Sequence, residues 1–432
     1  MEESFEANPG RAEGLVDVVA ICRLLEQASS TTAERSRQEG RVLERISPSV
    51  LVKISGRSLE DEFLADKLTS VIVEETARGL SMAQVKIGND RLQFTDHELL
   101  EGRNVEVEIF TGYENTRIVS RGVFRAVVPR YAFRNRAMPI ITLECYGEEW
   151  PLMVNEEREV YENLTDGQIA ERIASRNRLR VDVDATDVTF EHVAQYNMTD
   201  IEFLENRALL YGYDVYVQNK TLHFHAPRYE HSGLNLLFGD GEKGVLNRFD
   251  VVVDPWVKGS SWTKSGVDRI TGKEDEFRSE EVSDSIARKI AQDGGDGFQT
   301  AAELAKIDGV RPRRFIVGDG HLNSEGEARA QVRGYTQATE WIVQGSGQVR
   351  GIEQMRARTV VTMLGLGHLS GDYYVSRVTH RLVSGSSYTM DFEIIRPGTG
   401  KLQDHFRDSS AQTSNRRDVT NQSQQVGAAT LF

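Results

Sequence analysis

Period-two alternation of apolar and polar residues, recurring on both sides of a helical stretch, constrains the fold of this chain more than any other feature. In Tyr388-Thr-Met-Asp-Phe-Glu-Ile-Ile, Tyr388, Met390, Phe392 and Ile394 are spaced two apart, with Thr389, Asp391 and Glu393 between them. Successive side chains of a strand point to opposite faces, so such a run has one apolar and one wetted face. Val50, Val52 and Ile54 repeat the pattern, and so do Val105, Val107 and Ile109 around Glu106 and Glu108. Gly122-Val-Phe-Arg-Ala-Val-Val is expected to stop at Pro129, and Ile140-Ile-Thr-Leu-Glu-Cys-Tyr to stop before Gly147. Trp341-Ile-Val, Thr359-Val-Val-Thr-Met and Tyr373-Tyr-Val-Ser-Arg-Val resume the alternation later in the chain. Half-buried strands between Gly, Asn and Asp turns build antiparallel sheets, and closure into small barrels hides their edges.

Between these regions the period changes. Thr165-Asp-Gly-Gln168 opens a helix through Ile169, Ile173 and Ala174 that ends near Asn177. Thr199-Asp-Ile-Glu202 opens a second through Phe203, Leu204 and Ala208 that ends at Gly212. Each start is a capping box, with an acid (Asp166, Asp200) opposing the helix dipole in the first turn. Strands Tyr213-Asp-Val-Tyr-Val and Thr221-Leu-His-Phe-His follow, and Asn247-Arg-Phe-Asp-Val-Val-Val is a further strand. Helices are also expected at Val282 to Ala291 and from Ser324-Glu-Gly-Glu327 to Thr339.

The expected organisation is an N-terminal helical segment at 1–46, striped by Leu15, Val18, Val19, Cys22 and Leu25, followed by a β-domain at 47–155. An α/β module at 156–245 comes next, then a second β-domain at 246–398 split by an insertion at about 257–340, and a polar tail at 399–432. A chain of 432 residues has room for several cores, and its 39% hydrophobic and 27% charged content is that of a globular protein. The formal charge of −14 argues against a phosphate-neutralising surface, so no specific nucleic-acid partner is expected. Cys22 and Cys145 form neither a disulfide framework nor a zinc motif, which fits a reducing cytoplasm. The acidic start and the short, interrupted apolar stretch Leu15 to Leu25 predict neither a secretory signal nor a membrane anchor. The Asn-x-Ser/Thr matches at Asn163, Asn197, Asn219 and Asn421 are then chance matches.

Residue patterns that carry chemistry are weak. Gly239-Asp-Gly-Glu-Lys-Gly244 fits a dinucleotide fingerprint, but a strand follows where the mechanism needs a helix N-terminus. It reads as a glycine-rich hairpin, and Gly345-Ser-Gly-Gln and Gly365-Leu-Gly-His read as turns between strands. Asp182, Asp184 and Asp187 lack the calcium-loop spacing; Asp182 and Asp184 alternate with Val181 and Val183 as the wet face of a strand. Asp293-Gly-Gly-Asp-Gly fails the same test. His223 and His225 share a strand face, with His231 nearby, and two imidazoles so placed can bind a metal. No third ligand stands at a fixed spacing, so they read as strand positions, and no metal or cofactor is expected. His380 is expected to satisfy a backbone group. No nucleophile elbow, catalytic cysteine surroundings or H-E-x-x-H motif occurs.

Two stretches resemble the phage late-control D family, the tail-hub proteins of contractile injection systems, whose module also opens the VgrG proteins. The first is Gln195-Tyr-Asn-Met-Thr-Asp-Ile-Glu-Phe-Leu-Glu-Asn-Arg-Ala208 with Tyr211-Gly-Tyr-Asp-Val-Tyr-Val. The second is Gly371-Asp-Tyr-Tyr-Val-Ser-Arg-Val-Thr-His380 with Tyr388-Thr-Met-Asp-Phe-Glu-Ile-Ile-Arg396. The fold class expected from pattern and resemblance together is α+β and β-rich, with two similar antiparallel β-barrel domains and an α/β module inserted between them. The resemblance implies a structural hub, not an enzyme: a homotrimer whose six quasi-equivalent barrels match a hexameric tail tube on one side and a trimeric spike on the other. Its implied partners are itself, the tail tube protein, the spike protein and other baseplate subunits, with no membrane, and with DNA or cargo passing through the lumen. It implies a virion or injection particle assembled in the bacterial cytoplasm, and a spike carried by a separate protein. The alternative is a tail-associated peptidoglycan-degrading enzyme, against which stands the lack of a hydrolase module outside the hub-like span.

Overall fold

The computed structural model describes residues 47–59, 65–100, 105–114, 118–133, 135, 137–239, 246–254, 261–268, 274–278, 299–300, 304, 314–316, 321–322, 325–383 and 387–400. The N-terminal helix, the helix at Val282 to Ala291, Asp293-Gly-Gly-Asp-Gly, Cys22, Asn421 and almost all of the polar tail lie outside the described residues, as does most of Gly239 to Gly244.

The first alternating runs form β1 (Pro48–Ile54), β2 (Arg57–Ser58), β3 (Leu68–Thr76), β4 (Met82–Gly88), β5 (Val107–Tyr113), β6 (Val119–Phe124), β7 (Ala126–Ala132) and β8 (Ile140–Tyr146). Strands β2-β1-β5-β6 make one antiparallel sheet, while β3, β4, β8 and β7 lie in a larger one. Val52, Ile54, Val71, Val73, Val85, Ile109 and Leu143 close a core between them. Pro129 does not end its strand but lies inside β7, opposite Leu143. Strand β7 ends the sheet, and an outer strand tolerates a residue that cannot donate to a ladder.

The module contains β9 (Glu156–Thr165), α1 (Asp166–Arg176), β10 (Arg180–Val183), β11 (Thr189–Thr199), α2 (Asp200–Leu209), β12 (Asp214–Gln218) and β13 (Thr221–His225). Both predicted capping boxes form, with Thr165 receiving the Gln168 amide and Thr199 the Glu202 amide. The two first-turn acids do more than oppose the dipole. Asp166 is held by Arg207 at 2.5 and 2.9 Å, and by the Tyr211 hydroxyl at 2.7 Å. Asp200 is held by Arg176, by the Asn177 amide at 2.8 Å and by Gln195 at 3.0 Å. Each helix start is thus clamped by the far end of the other helix. Ile169, Ile173, Phe203 and Leu204 pack with Val215, Leu222 and Phe224 into a separate core. Asn163, Asn197 and Asn219 all adopt left-handed backbone, which asparagine tolerates better than most residues.

The remainder forms β14 (Glu230–Leu237), β15 (Leu246–Val253), β16 (Ser261–Asp268), β17 (Glu274–Arg278), β18 (Gln299–Thr300), β19 (Arg314–Ile316), β20 (His321–Leu322), α3 (Glu325–Thr339), β21 (Val343–Arg350), β22 (Thr359–Leu364), β23 (Gly371–Val383), β24 (Ser387–Arg396) and β25 (Gly398–Thr399). Gly345 and Gly347 lie within β21 rather than in a turn. A Cβ on Gly345 would stand 2.6 Å from the Phe249 ring, and one on Gly347 stands 2.4 Å from the Phe392 ring, so close ring packing explains the glycines. Gly365, at φ +81°, does occupy a turn.

The fold is β-rich α+β with large antiparallel sheets, as expected. The two β regions are also hydrogen-bonded to each other. Strand β3 pairs with β23 from Thr76↔Arg377 to Ser70↔Val383, giving the order β15-β21-β24-β23-β3-β4-β8-β7. Strand β22 joins β23, and β14 joins β22, completing ten strands.

Candidate functional site

The closing motif Gly371…Arg396 is made of core residues. Tyr373, Val375 and Val378 are inaccessible, as is His380, while Tyr388, Phe392 and Arg396 are buried. The spacing Val375-x-x-Val378 breaks strict alternation, and a bulge between Val375 and Arg377 restores the inward face. Arg396 lies over the Tyr373 ring and donates to the Ser370 carbonyl at 3.1 Å. Gly371, at φ +143°, leaves room for that guanidinium, which a Cβ would meet at 2.4 Å.

Where the β regions meet, a polar cluster is buried. Arg121 donates to the Thr111 hydroxyl at 2.6 Å and to the carbonyls of Met355 at 3.2 Å and Glu353 at 2.5 Å. Glu75 accepts from Arg356 at 2.8 Å and from Arg121 at 3.5 Å. Tyr113 donates to the Gly351 carbonyl at 2.9 Å. His380 contacts the Tyr388 hydroxyl at 2.7 Å and also faces the Met355 backbone, the kind of group expected for it. Burial, with Arg121 and Arg356 adding to it, pushes this imidazole well below its ordinary value, so it is neutral. The cluster joins residues from both β regions, and no hydrogen-bonding pattern of the sequence announces it.

Glu75, Arg121 and Arg356 line a cleft of about 520 Å³ together with Tyr216, His225 and Arg228 of the α/β module. Glu149 also lines it, and burial raises its carboxyl to about 7. Across the module sheet, β10 runs parallel to β13 and brings Asp182 opposite His223; β12 brings Tyr216 opposite His223 and Asp214 opposite His225. His223 and His225 therefore share a face, as expected, and they are joined there by Asp182. Asp182 accepts from His223 at 2.9 Å and from Arg228 at 2.8 and 2.9 Å. Burial works to raise the Asp182 carboxyl, but hydrogen bonds from Arg228 and His223 outweigh it and hold it below its usual value. Burial lowers the His223 imidazole despite Asp182. Asp184 turns elsewhere, to the Ala226 amide at 3.0 Å, and His231 stands on β14. Burial pushes the Cys145 thiol up to about 12, which keeps it protonated and unreactive. Among the described residues no helix is long and apolar enough to cross a membrane.

The fold over 81% of the chain is similar to that of the 43 kDa tail protein of prophage MuSo2 from Shewanella oneidensis, with 13% identity, a TM-score of 0.57 and 99% of that chain covered. A tail protein from Neisseria meningitidis MC58 is similar over 81% of this chain and 97% of its own, with 12% identity and a TM-score of 0.57. At such identities the likeness is one of fold. No curated protein matches the sequence. The family model described as Alg8 N-terminal domain matches residues 46–384, and with most of its length covered the chain belongs to that family.

Proposed function

We propose that the chain is a structural tail-hub subunit of a contractile phage tail or phage-like injection particle. Three copies form a pseudo-six-fold ring that joins the hexameric tail tube to the trimeric central spike, as the late-control D resemblance implies. The observation that carries this reading is the fold shared with two tail proteins, one of them from a prophage, each matched over nearly its whole length. The buried roles of Gly371, Tyr373, His380, Tyr388 and Arg396 support it, because these residues shape a scaffold and present no reacting group to solvent. Exposed apolar side chains support it as well: Val160 and Tyr196 on the β9–β11 ribbon, and Val252 at 65% exposure on β15, the outer strand of the large sheet. Open edges and exposed apolar groups are what assembly covers. The chain is not an enzyme in this reading, and its partners are its own copies, tube, spike and other baseplate subunits.

Imaging of assembled particles tests the proposal. Three copies of this chain between tube and spike are expected; another copy number or another location overturns it. Lysis of cell wall by the purified chain in a zymogram would overturn the non-enzymatic part in favour of a peptidoglycan-degrading tail protein.

A further inference from the structure

The Asp182, His223 and His225 cluster has the composition and geometry of a coordination site. Their nearest ligand atoms all lie within 4.8 Å of one another. The Asp182 carboxylate is 2.9 Å from His223 Nδ1 and 3.9 Å from His225 Nε2. Ligand bonds of about 2.0–2.2 Å in a tetrahedral zinc site place donor atoms roughly 3.3 Å apart, within this range. The outer contacts are also those of a ligand set. His225 Nδ1 faces the Ala226 carbonyl at 2.8 Å, and a carbonyl only accepts, so Nδ1 carries the proton. That leaves Nε2 as the ligating atom of His225, 3.9 Å from the Asp182 carboxylate and 3.4 Å from the Tyr216 hydroxyl. Backbone carbonyls orient metal-binding histidines in this way. Arg228 spans both Asp182 oxygens, so it keeps one when the other binds an ion. His225 is 2% exposed yet lines the cleft, which supplies an entry path.

We propose that Asp182, His223 and His225 bind one divalent transition-metal ion, with Zn²⁺ the best match to a set of two imidazoles and one carboxylate. Neutral His223 shifts its ring proton to Nε2 so that Nδ1 ligates, and water from the cleft takes the remaining position. Imidazole and carboxylate ligands with an open position suit zinc and its neighbours better than Ca²⁺ or Mg²⁺. The ion would clip β10 to β13 on the face opposite the module core. This site is independent of the tail-hub role.

The test is titration of the tag-free full chain, stripped by chelator, with Zn²⁺ by calorimetry and with Co²⁺ by visible absorption. One ion per chain, micromolar or tighter affinity for Zn²⁺, and Co²⁺ bands of four-coordinate intensity are expected. Asp182→Asn and His223→Gln, at part-exposed positions, should each weaken binding at least about tenfold. His225→Gln should do the same, while His231→Gln should leave binding unchanged. Circular dichroism of each metal-free variant shows whether it is folded; if His225→Gln unfolds, the two part-exposed variants carry the result. Absence of binding to the parent chain, or binding undiminished in the Asp182→Asn/His223→Gln double variant, overturns the proposal.

Discussion

Arg121 shows how one side chain couples distant parts of this molecule. It reaches Thr111 in its own sheet and two carbonyls in the 353–355 segment, and removing a buried charge from such a network leaves its partners unsatisfied. Arg121→Ala should lower unfolding stability by about 3–5 kcal/mol in a urea titration. Glu149 and His380 contribute to the pH dependence of stability with opposite signs. Burial raises the Glu149 carboxyl from 4.5 to about 7, so between those values the folded chain keeps a proton that the unfolded chain has released. The Glu149 contribution to stability therefore falls as pH rises from 4.5 through about 7 and is flat above. Glu149→Gln should remove that loss, worth roughly 3 kcal/mol, as read from urea midpoints on either side of the window. His380 has the opposite sign. Its imidazole is held below 6.5, so the unfolded chain takes up the proton first and stability falls as pH drops under that value.

At the scale of elements, the capped helices were fully legible. Thr165 with Gln168 and Thr199 with Glu202 are local signals, because a cap depends on residues three apart. Thr165→Ala and Thr199→Ala should each cost about 1 kcal/mol in thermal or denaturant unfolding. Removing the reciprocal clamp should cost more: Asp166→Ala takes the buried carboxylate from half-buried Arg207, and a loss of about 3–5 kcal/mol is expected by the same measurement. The strands in the β regions were legible as alternation but not as partners. Pro129 and Gly345 were misread because both residues usually end strands. An outer position excuses the first, and packed Phe249 and Phe392 rings require small residues at Gly345 and Gly347.

Over the whole molecule, the β3–β23 ladder joins segments some three hundred residues apart into one sheet. A fragment spanning residues 47–155 keeps its apolar pattern but loses the partner of β3 and the carbonyls that hold Arg121. It should therefore aggregate, or be cleaved readily by protease, where the full chain resists. A compact, protease-resistant monomeric fragment would show that the ladder is dispensable. The same non-local pairing makes folding slow, since long loops must close before β3 meets β23.

The amino-acid sequence by itself determined the periodicities, the two capping boxes, the β-rich α+β class and the inward residues of the closing hairpin. Each of these follows from neighbours within a few positions along one strand or helix. Tertiary structure alone decided that the β regions share a sheet, that Glu75 meets Arg121 and Arg356, and that Asp182 joins His223 and His225. Strand partners and parallel register depend on which surfaces pack together, and a carboxylate about forty residues from its imidazole leaves no local trace of the pairing.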